Sequence, residues 1–299
     1  MQLDFPVSAS QLHTLRTGAA VVRQPAALFQ VEGPAALDCL QGLLTSDLVA
    51  SGDRSLGYGA MLTNKGMILL DPLVFREGGR FTLLLPWFAR ATALGHLTRM
   101  LPPRLAKLHD RTEDLRVVWL LGGDGCLLAA AGPLMPFAAV LIGSAAETAQ
   151  FLGEGLAAGM VCEGESLLAA ARVLAGWPSL GREIDEKTLP QEVRYDELGA
   201  VSYTKGCYTG QETVARVHFR GHPNRTLRGI TLDGGRPPAD RRLEYGGKEV
   251  GRIRTALILE SRVLGLATLR REVPDEAVMN SLDREARVVP LPIGQEVTV

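Results

Sequence analysis

The sequence lacks an excess of charge of either sign, and it has few aromatic residues. Its 299 residues carry 32 Lys and Arg against 33 Asp and Glu, so the formal net charge is −1. No overall positive field therefore draws the chain to nucleic acid or to an anionic membrane; such a contact would need a local patch. Aromatic residues make up 5% of the chain, so an extended base-stacking surface is not expected. Hydrophobic residues at 46% predict an ordered globular protein, and the length suits about two domains.

Cysteine is also scarce, and its spacing does not fit the common local metal motifs. The four cysteines are Cys39, Cys126, Cys162 and Cys207, and no C-x-x-C pair occurs. A zinc or iron–sulfur centre built from neighbouring ligands is therefore not expected, and we predict no metal site. A disulfide framework is not expected in a chain of this length, so we predict free thiols in a cytoplasmic protein. The N-terminus lacks a basic segment followed by an apolar run, and no signal peptide is predicted.

One long stretch, residues 125–146, carries no charge. It is long enough to span a bilayer, so a transmembrane helix is the alternative to consider. Gly132-Pro133 and Pro136 interrupt its middle, and no basic flank marks a cytoplasmic end. We interpret the stretch as two buried elements joined by a Gly-Pro turn, and no membrane association is predicted.

Strand and helix signals alternate in the first part of the chain without a regular βαβ pattern, which favours an α+β fold. The signals predict strands at 27–31, 58–63, 66–75 and 80–85 and helices at 35–44 and 87–101. Asn64-Lys65-Gly66 separates two of these strands, and it is typical of a tight hairpin turn.

From about residue 226 the pattern changes to short β-rich runs separated by turn signals, which predicts a small antiparallel β-barrel or sandwich. The runs are 228–232, 250–259, 263–269, 287–289 and 296–299. We therefore predict an α+β domain at residues 1–224, in one or two subdomains, followed by a β-barrel domain at 225–299.

The densest functional signal is the segment KGCYTGQE, which comprises Lys205, Gly206, Cys207, Tyr208, Thr209, Gly210, Gln211 and Glu212. A lysine beside a cysteine favours the thiolate, which is the nucleophilic form. The adjacent glycine leaves room for a ligand or another backbone. The S/T-x-x-E spacing predicts a capping box and a helix that starts at Gly210. The alternatives are a cysteine that only packs, a glutamine that only solvates the turn and a glutamate that only caps the helix.

This segment resembles the signature of the YgfZ-type folate-binding proteins. They are relatives of the glycine-cleavage aminomethyltransferase and include the mitochondrial iron–sulfur assembly homologues. Further segments resemble family motifs in the same order along the chain, whereas residues 111–164 carry no motif that we can place. The matching segments are Cys39 to Asp47, Leu62 to Asp71, Arg172 to Pro178, Leu189 to Glu192 and Gly247 to Arg252.

The resemblance implies an α+β, aminomethyltransferase-like folate-binding body closed by a C-terminal antiparallel β-barrel. It implies tetrahydrofolate or a one-carbon derivative as the ligand. The implied role is assembly or repair of iron–sulfur clusters in other proteins, including tRNA-modifying enzymes. The family needs the motif cysteine for that role, so the resemblance assigns it to Cys207, with Lys205 as its electrostatic partner. The implied partners are folate and iron–sulfur client proteins, without direct contact to RNA.

Residues that would hold a folate follow from its chemistry and from the resemblance together. A pterin ring suits an apolar slot with a carboxylate, and Asp71 aligns with an acidic position of the aminomethyltransferases. The alternative for Asp71 is a residue that only ends a strand. A glutamate tail suits a guanidinium, and the candidates are Arg172, Arg216 and Arg225, each of which is otherwise a solvated or salt-bridged residue. Leu174 stands where the aminomethyltransferases carry a glutamate that reads the pterin, which favours the YgfZ branch over glycine-cleavage chemistry.

Two further functions stay open. One is an enzyme that transfers a one-carbon unit to or from folate, for which Asp71 is the candidate base; whether the protein turns over a substrate is not decided. The other is an RNA-binding module that uses a basic face of the barrel, with a solvated surface as the alternative. The basic residues of that face are Arg220, Arg225, Arg228, Arg236, Arg241, Arg242, Lys248, Arg252 and Arg254.

Overall fold

The structure is a computed structural model that describes residues 2–17, 19–122 and 135–293. In chain order the strands are β1 Asp4–Pro6, β2 Ala19–Arg23, β3 Ala26–Glu32, β4 Ser55–Tyr58, β5 Met61–Leu62, β6 Ile68–Leu70, β7 Leu73–Glu77, β8 Arg80–Pro86, β9 Lys107–Asp110, β10 Arg116–Gly122, β11 Ala139–Gly143, β12 Val161–Glu163, β13 Arg225–Asp233, β14 Arg242–Tyr245, β15 Lys248–Ile258, β16 Arg262–Arg270, β17 Val278–Ser281 and β18 Arg284–Val289. The α-helices are α1 Ala9–Thr17, α2 Ala36–Gln41, α3 Arg90–Met100, α4 Ala145–Ala157, α5 Glu165–Ala175 and α6 Gln211–Arg220.

Two sheets and a short hairpin form the body of the protein. One sheet is antiparallel with the order β4-β7-β8-β3-β9, and the other has the order β11-β10-β2-β12. Successive residues of a strand face opposite sides of its sheet, so in β3 Leu28 joins a core shared with Trp119 of β10, while Phe29 packs with Leu40 and Leu97 of the helices. Because both faces of β3 and β8 are covered, these strands are apolar along most of their length.

Helix α5 packs between the body and the barrel, and it buries apolar residues on several of its faces. Leu167 and Leu168 belong to the core between the two sheets, whereas Ala170 and Val173 pack with Leu264 of β16. A helix with buried residues on several faces lies between layers rather than on the surface. The next residue after α5, Gly176, has a φ of +67°, and an added Cβ would overlap the guanidinium of Arg194.

The C-terminal strands close into a six-stranded antiparallel barrel. Strand β13 pairs with β16 and β18, β15 pairs with β14 and β16, and β17 joins β14 to β18, so the ring of pairings has no gap. This barrel confirms the predicted fold class. Strand β13 begins at Arg225, and β1 pairs in parallel with β15, which adds the N-terminal segment to the barrel.

Some predicted elements differ in extent from the observed ones. Helix α2 ends at Gln41 instead of residue 44, because Leu44 makes a β-bridge to Met61. The strand predicted at 66–75 is divided into β6 and β7 by Asp71 and Pro72, and a proline has no N–H with which to continue a ladder. Strands β14 and β17 were not predicted.

The uncharged stretch at 125–146 lies partly outside the described residues, as does the strand predicted at 296–299. The described part of the uncharged stretch, residues 135–146, contains β11 and the start of α4. Among the described helices, none combines the length and the apolar character needed to cross a membrane.

Candidate functional site

A cavity of about 340 Å³ lies between the two sheets of the body, beside α5. Three buried aromatic side chains line it, from β4, from β10 and from the segment after α5: Tyr58, Trp119 and Trp177. The rings of Tyr58 and Trp177 are 4.5 Å apart. The exposed Trp87 and Phe88 line it as well. The cavity therefore offers flat, apolar walls of the kind that suit a ring system.

Asp71 lines this cavity, and among the described residues its carboxyl group has one side-chain hydrogen-bond partner. Because β6 ends at Leu70 and Pro72 prevents its continuation, Asp71 lies in the gap between two strands. The Tyr58 hydroxyl donates to Oδ2 at a long 3.4 Å and lies 3.0 Å from the Tyr195 hydroxyl. Oδ1 is buried and has no close hydrogen-bond partner in the described part of the chain, although the backbone N–H of Leu180 lies near enough to lower the pKa of the carboxyl group. Burial raises the pKa of this carboxyl to about 7, although the nearby Arg172 opposes the shift.

Arg172 lines the same cavity from the last turn of α5. Its guanidinium lies 5.8 Å from the centre of the Trp119 ring. Its Nε is buried and, among the described residues, finds no hydrogen-bond acceptor. Burial lowers the pKa of Arg172, and the neighbouring Arg182 lowers it further. The structure thus brings together Asp71 and Arg172, two of the four residues predicted to contact a folate.

A second arginine at the cavity was not predicted from the sequence. Arg182 donates from Nη2 to Glu165 Oε1 at 3.0 Å, and its guanidinium lies 4.6 Å from the centre of the Phe5 ring. Its Nε is also buried without an acceptor in the described residues. Both Arg182 and Glu165 line the cavity. Arg182 lies only a few residues after the segment Arg172 to Pro178, so that segment was the signal that could have found it.

The other two predicted arginines lie elsewhere. Arg216 is exposed on α6. Arg225 lines a different cavity, of about 570 Å³, at the end of the barrel with Arg270 and Arg271. Neither residue lines the cavity that contains Asp71. Their predicted contact with a folate is therefore not supported by proximity to Asp71, and it stays a prediction.

Cys207 is exposed, and it is not among the residues that line the Asp71 cavity. A Cβ added at the neighbouring Gly206 would meet nothing within 4 Å, so the space beside that residue is open. The thiols of Cys39 and Cys162 are also free. In the described residues, no group of three His, Cys, Asp or Glu side chains is arranged to hold a metal ion.

Lys205 is directed away from solvent and into a turn of the body. Its half-buried ammonium donates to three backbone carbonyls at 2.6–2.7 Å, those of Gln41, Leu44 and Ser46. Burial lowers the pKa of this ammonium to about 8, so it still carries its charge at neutral pH. Three donors thus meet three acceptors, which fixes the start of the cysteine segment on the turn after α2. The predicted electrostatic role of Lys205 toward Cys207 stays a prediction.

Helix α6 begins directly after the cysteine segment, on the hairpin formed by β5 and β6. Its N-cap is Gly210 with a φ of +80°, and an added Cβ would lie 2.6 Å from the carbonyl oxygen of Thr63. The predicted capping box is wrong, because no side chain caps this helix, and Glu212 is exposed. Tyr208 is buried next to the cap, and burial raises its pKa to about 12. Gln211 is the first residue of the helix.

Three of the segments that resemble family motifs therefore meet around Cys207. The backbone N–H of Thr209 donates to Gly42 at 3.1 Å, which joins the cysteine segment to the segment Cys39 to Asp47. Gly66 of the hairpin turn would overlap Thr213 of α6 if it carried a Cβ. This close contact explains why glycine occupies position 66.

Much of the predicted basic face of the barrel is neutralised by ion pairs. The pairs within 4.0 Å are Arg228–Asp275, Arg241–Asp4, Arg242–Glu249, Arg252–Glu249 and Arg254–Asp185. Charges that are already paired attract a polyanion less strongly than free ones. This arrangement favours the solvated surface over an RNA-binding face.

The fold resembles that of an aminomethyltransferase. The crystal structure of glycine cleavage system aminomethyltransferase T from Bartonella henselae matches it with a TM-score of 0.78 and 18% sequence identity. The match covers 94% of this chain and 88% of the other chain. The predicted fold is therefore confirmed.

Relatives by sequence carry the name tRNA-modifying protein YgfZ. The protein of Cronobacter sakazakii is 26% identical over 234 residues, which are 71% of this chain and 70% of that protein. The protein of Klebsiella pneumoniae is 25% identical over 309 residues, covering 90% and 91% of the two chains. An Escherichia coli relative is 31% identical over 135 residues, but this match spans only 41% of its length. No family model matches the chain. The predicted resemblance to YgfZ-type proteins is thus confirmed by these relatives and by the fold.

Proposed function

We propose that this protein binds a reduced folate, such as tetrahydrofolate, in the cavity lined by Asp71 and Arg172. The observation that carries the proposal is a buried carboxyl group, Asp71, and a guanidinium, Arg172, that line one cavity beside aromatic walls. A hydrogen bond to a charged group contributes about 1.5–3 kcal/mol, so a ligand that offers a donor to one group and an acceptor to the other gains affinity from both.

The chemistry of a pterin matches this arrangement. The ring is flat, so it stacks against the aromatic wall that Tyr58 and Trp177 form, and its edge carries adjacent donors and acceptors for Asp71 and Arg172. The aminobenzoyl group and the glutamate tail would extend past the exposed Trp87, which lines the same cavity. Arg182 also lines the cavity, so it is a second cation that could bind the glutamate tail. In the structure it forms an ion pair with Glu165.

Calorimetric titration with tetrahydrofolate tests this proposal. We expect one site per chain, and we expect the Asp71→Asn variant to bind about 10-fold or more weakly, because a charged hydrogen-bond acceptor is lost. Asp283→Asn is the matched control, since Asp283 is exposed in the turn between β17 and β18. Absence of binding to the wild-type protein, or equal binding by wild type and Asp71→Asn, would overturn the proposal.

We further propose that Cys207 serves the assembly or repair of iron–sulfur clusters in other proteins, including tRNA-modifying enzymes. The support is the exposed sulfur, the open space at Gly206, and the name of the relatives, which refers to tRNA modification. The proposed compartment is a reducing cytoplasm, which would keep the free cysteines as thiols. Clusters and client proteins are the cargo in this proposal, and the protein itself needs no resident metal.

A complementation experiment tests the role of Cys207. Cells that lack the native copy are supplied with wild type, Cys207→Ala or Cys162→Ala, and the activity of a cluster-dependent tRNA-modifying enzyme is measured. Cys162 is the matched control because its thiol is also exposed. We expect Cys162→Ala to restore activity and Cys207→Ala to fail. Full restoration by Cys207→Ala would refute the role.

One observation favours a second function, transfer of a one-carbon unit to or from the bound folate. A carboxyl group with a pKa of about 7, as at Asp71, can accept and return a proton at neutral pH. Incubation with methylene- and methyl-tetrahydrofolate and a panel of amine and thiol acceptors tests this function. Product that forms with wild type and is lost in Asp71→Asn supports it, and lack of product with every acceptor counts against it.

A further inference from the structure

One end of the barrel concentrates arginines that have few acidic partners. The cavity of about 570 Å³ at this end is lined by His222, Asn224, Arg225, Arg270, Arg271 and Glu272. Arg270 forms an ion pair with Glu272 at 3.5 Å, but both side chains are exposed, so this pair contributes little. Among the described residues, neither Arg225 nor Arg271 has an ion pair within 4.0 Å. The cavity is therefore surrounded by positive charge that the chain itself leaves largely unneutralised.

Two of these arginines lie opposite each other in the barrel ladder. Arg225 is the first residue of β13, and it pairs directly with Arg270, the last residue of β16. The Cβ atoms of directly opposite residues are about 5 Å apart on one face of the sheet, and like charges at such a pair are destabilising. The backbone N–H of Arg271 donates to the carbonyl of Asn224 at 3.0 Å, which holds the backbone of a third arginine beside the pair. The fold thus keeps three cations together against their mutual repulsion, and a bound anion would offset it.

A further carboxylate, that of Glu192, lies near Arg225 but is engaged elsewhere. Burial raises the pKa of Glu192, and the charge of Arg225 opposes this shift. Oε2 of Glu192 accepts a hydrogen bond from the backbone N–H of Leu189 at 3.0 Å. Because the charged atoms of Glu192 and Arg225 do not come within 4.0 Å of each other, the guanidinium keeps its donors available to a ligand.

The donors around the cavity favour a compact ligand with several negative charges. A guanidinium binds a phosphate through two parallel hydrogen bonds, and a terminal phosphate carries about 1.5–2 negative charges at pH 7. Three adjacent arginines carry more charge than one phosphate neutralises, so consecutive phosphates match the cavity better. RNA fits less well because, of the residues that the structure describes, no Phe, Tyr or Trp lines the cavity as a platform for a base. A volume of this size is typical of sites for small molecules.

We propose that this cavity, between the start of β13 and the end of β16, binds a polyphosphate group. The group is that of an inorganic polyphosphate or of a nucleoside triphosphate, since both present the same consecutive phosphates to Arg225, Arg270 and Arg271. No described residue lines both this cavity and the one that contains Asp71, so the site is separate from the proposed folate site. Binding of the anion relieves the repulsion between Arg225 and Arg270.

Calorimetric titration of sodium tripolyphosphate into the full chain tests the site, in a buffer of about 50 mM ionic strength without divalent cations. We expect tripolyphosphate to bind at least about 10-fold more tightly than orthophosphate, because it engages more than one arginine. Titrations with ATP and GTP distinguish the two sources of the group. Tighter binding of a nucleotide than of tripolyphosphate identifies a nucleoside triphosphate as the ligand, and equal or weaker binding of both nucleotides identifies inorganic polyphosphate.

Two variants, Arg225→Gln and Arg271→Gln, each remove one guanidinium from the cavity. We expect each of them to weaken the binding of tripolyphosphate by about 10-fold. Arg287→Gln is the matched control, because Arg287 is an exposed arginine of β18 that pairs with Glu285 and does not line the cavity. Thermal unfolding gives a second measurement. Without the anion, Arg225→Gln should melt no lower than wild type, since it removes one of two opposed like charges, and tripolyphosphate should raise the melting temperature of wild type more than that of this variant.

Four results would overturn the proposal. The first is a wild-type protein that does not bind tripolyphosphate, or binds orthophosphate equally well. The second is binding by Arg225→Gln and Arg271→Gln that equals that of wild type, because the anion then lies elsewhere. The third is a uridine oligonucleotide that binds more tightly than tripolyphosphate and loses affinity in Arg225→Gln, which would identify an RNA backbone as the ligand. The fourth is citrate that binds as tightly as tripolyphosphate, which would show that carboxylates serve equally well.

Discussion

Replacing Lys205 with methionine removes the ammonium that holds the cysteine segment against the body. The Lys205 ammonium donates to three backbone carbonyls at 2.6–2.7 Å. A methionine side chain has nearly the same shape but carries no charge and no donor. A hydrogen bond to a charged group contributes about 1.5–3 kcal/mol, and water can replace part of it at a half-buried site. We therefore expect Lys205→Met to lower the free energy of unfolding by about 2–4 kcal/mol, well below the sum for three fully buried bonds.

Urea unfolding and hydrogen exchange measure this effect. The amides of Ser202 and Thr209 donate to Thr45 and Gly42 across the same contact, so their exchange should become much faster in the variant. Lys187→Met is the matched control, because Lys187 is exposed. Among the described residues its backbone N–H donates to Asp185, whereas its ammonium makes no hydrogen bond. The reasoning is refuted if Lys205→Met is as stable as this control and the two amides exchange at the wild-type rate.

Two further predictions concern Asp71 and the start of α6. Burial raises the pKa of Asp71 to about 7, whereas an aspartate in an unfolded chain has a pKa of about 4. The protonated carboxyl group therefore stabilises the folded state fully below about pH 4, and this contribution is lost as the pH rises toward 7. The free energy of unfolding of wild type minus that of Asp71→Asn should thus fall over this interval in urea titrations, and a flat or rising difference would contradict the assignment. Gly210→Ala should lower stability by more than about 1 kcal/mol in thermal unfolding, since φ is +80° and the new Cβ meets Thr63, whereas Gly235→Ala, which meets nothing, should change it by less than about 0.5 kcal/mol. Equal effects of the two glycine variants would show that the close contact is not significant.

The barrel was predictable because turn residues divide its longer strands: the runs at 228–232 and 263–269 lie inside observed strands, and the run at 250–259 extends one residue past the end of β15. Strands β14 and β17 were missed because each has four residues and only one or two of them are buried. A pattern of alternation needs more residues than that to be recognised. Their pairing depends on closure of the ring, which is a property of the whole barrel.

The candidate site was only partly predictable, because burial and distant contacts decide it. Asp71 was recognised as a candidate, but its pKa depends on Arg172, which lies about a hundred residues later in the chain. Arg225 was chosen because a guanidinium suits the glutamate tail of a folate, yet it lines a cavity at the end of the barrel. Lys205 was paired with its sequence neighbour Cys207, whereas its ammonium contacts a turn that the sequence places far away.

The central claim is that a folate occupies the cavity between Asp71 and Arg172. A crystal structure of the protein with tetrahydrofolate tests it most directly. The account predicts density for the pterin ring against the wall formed by Tyr58 and Trp177, with hydrogen bonds to the Asp71 carboxyl group and the Arg172 guanidinium. Density for the ligand beside Arg225 instead, with the Asp71 cavity free of ligand, would contradict it.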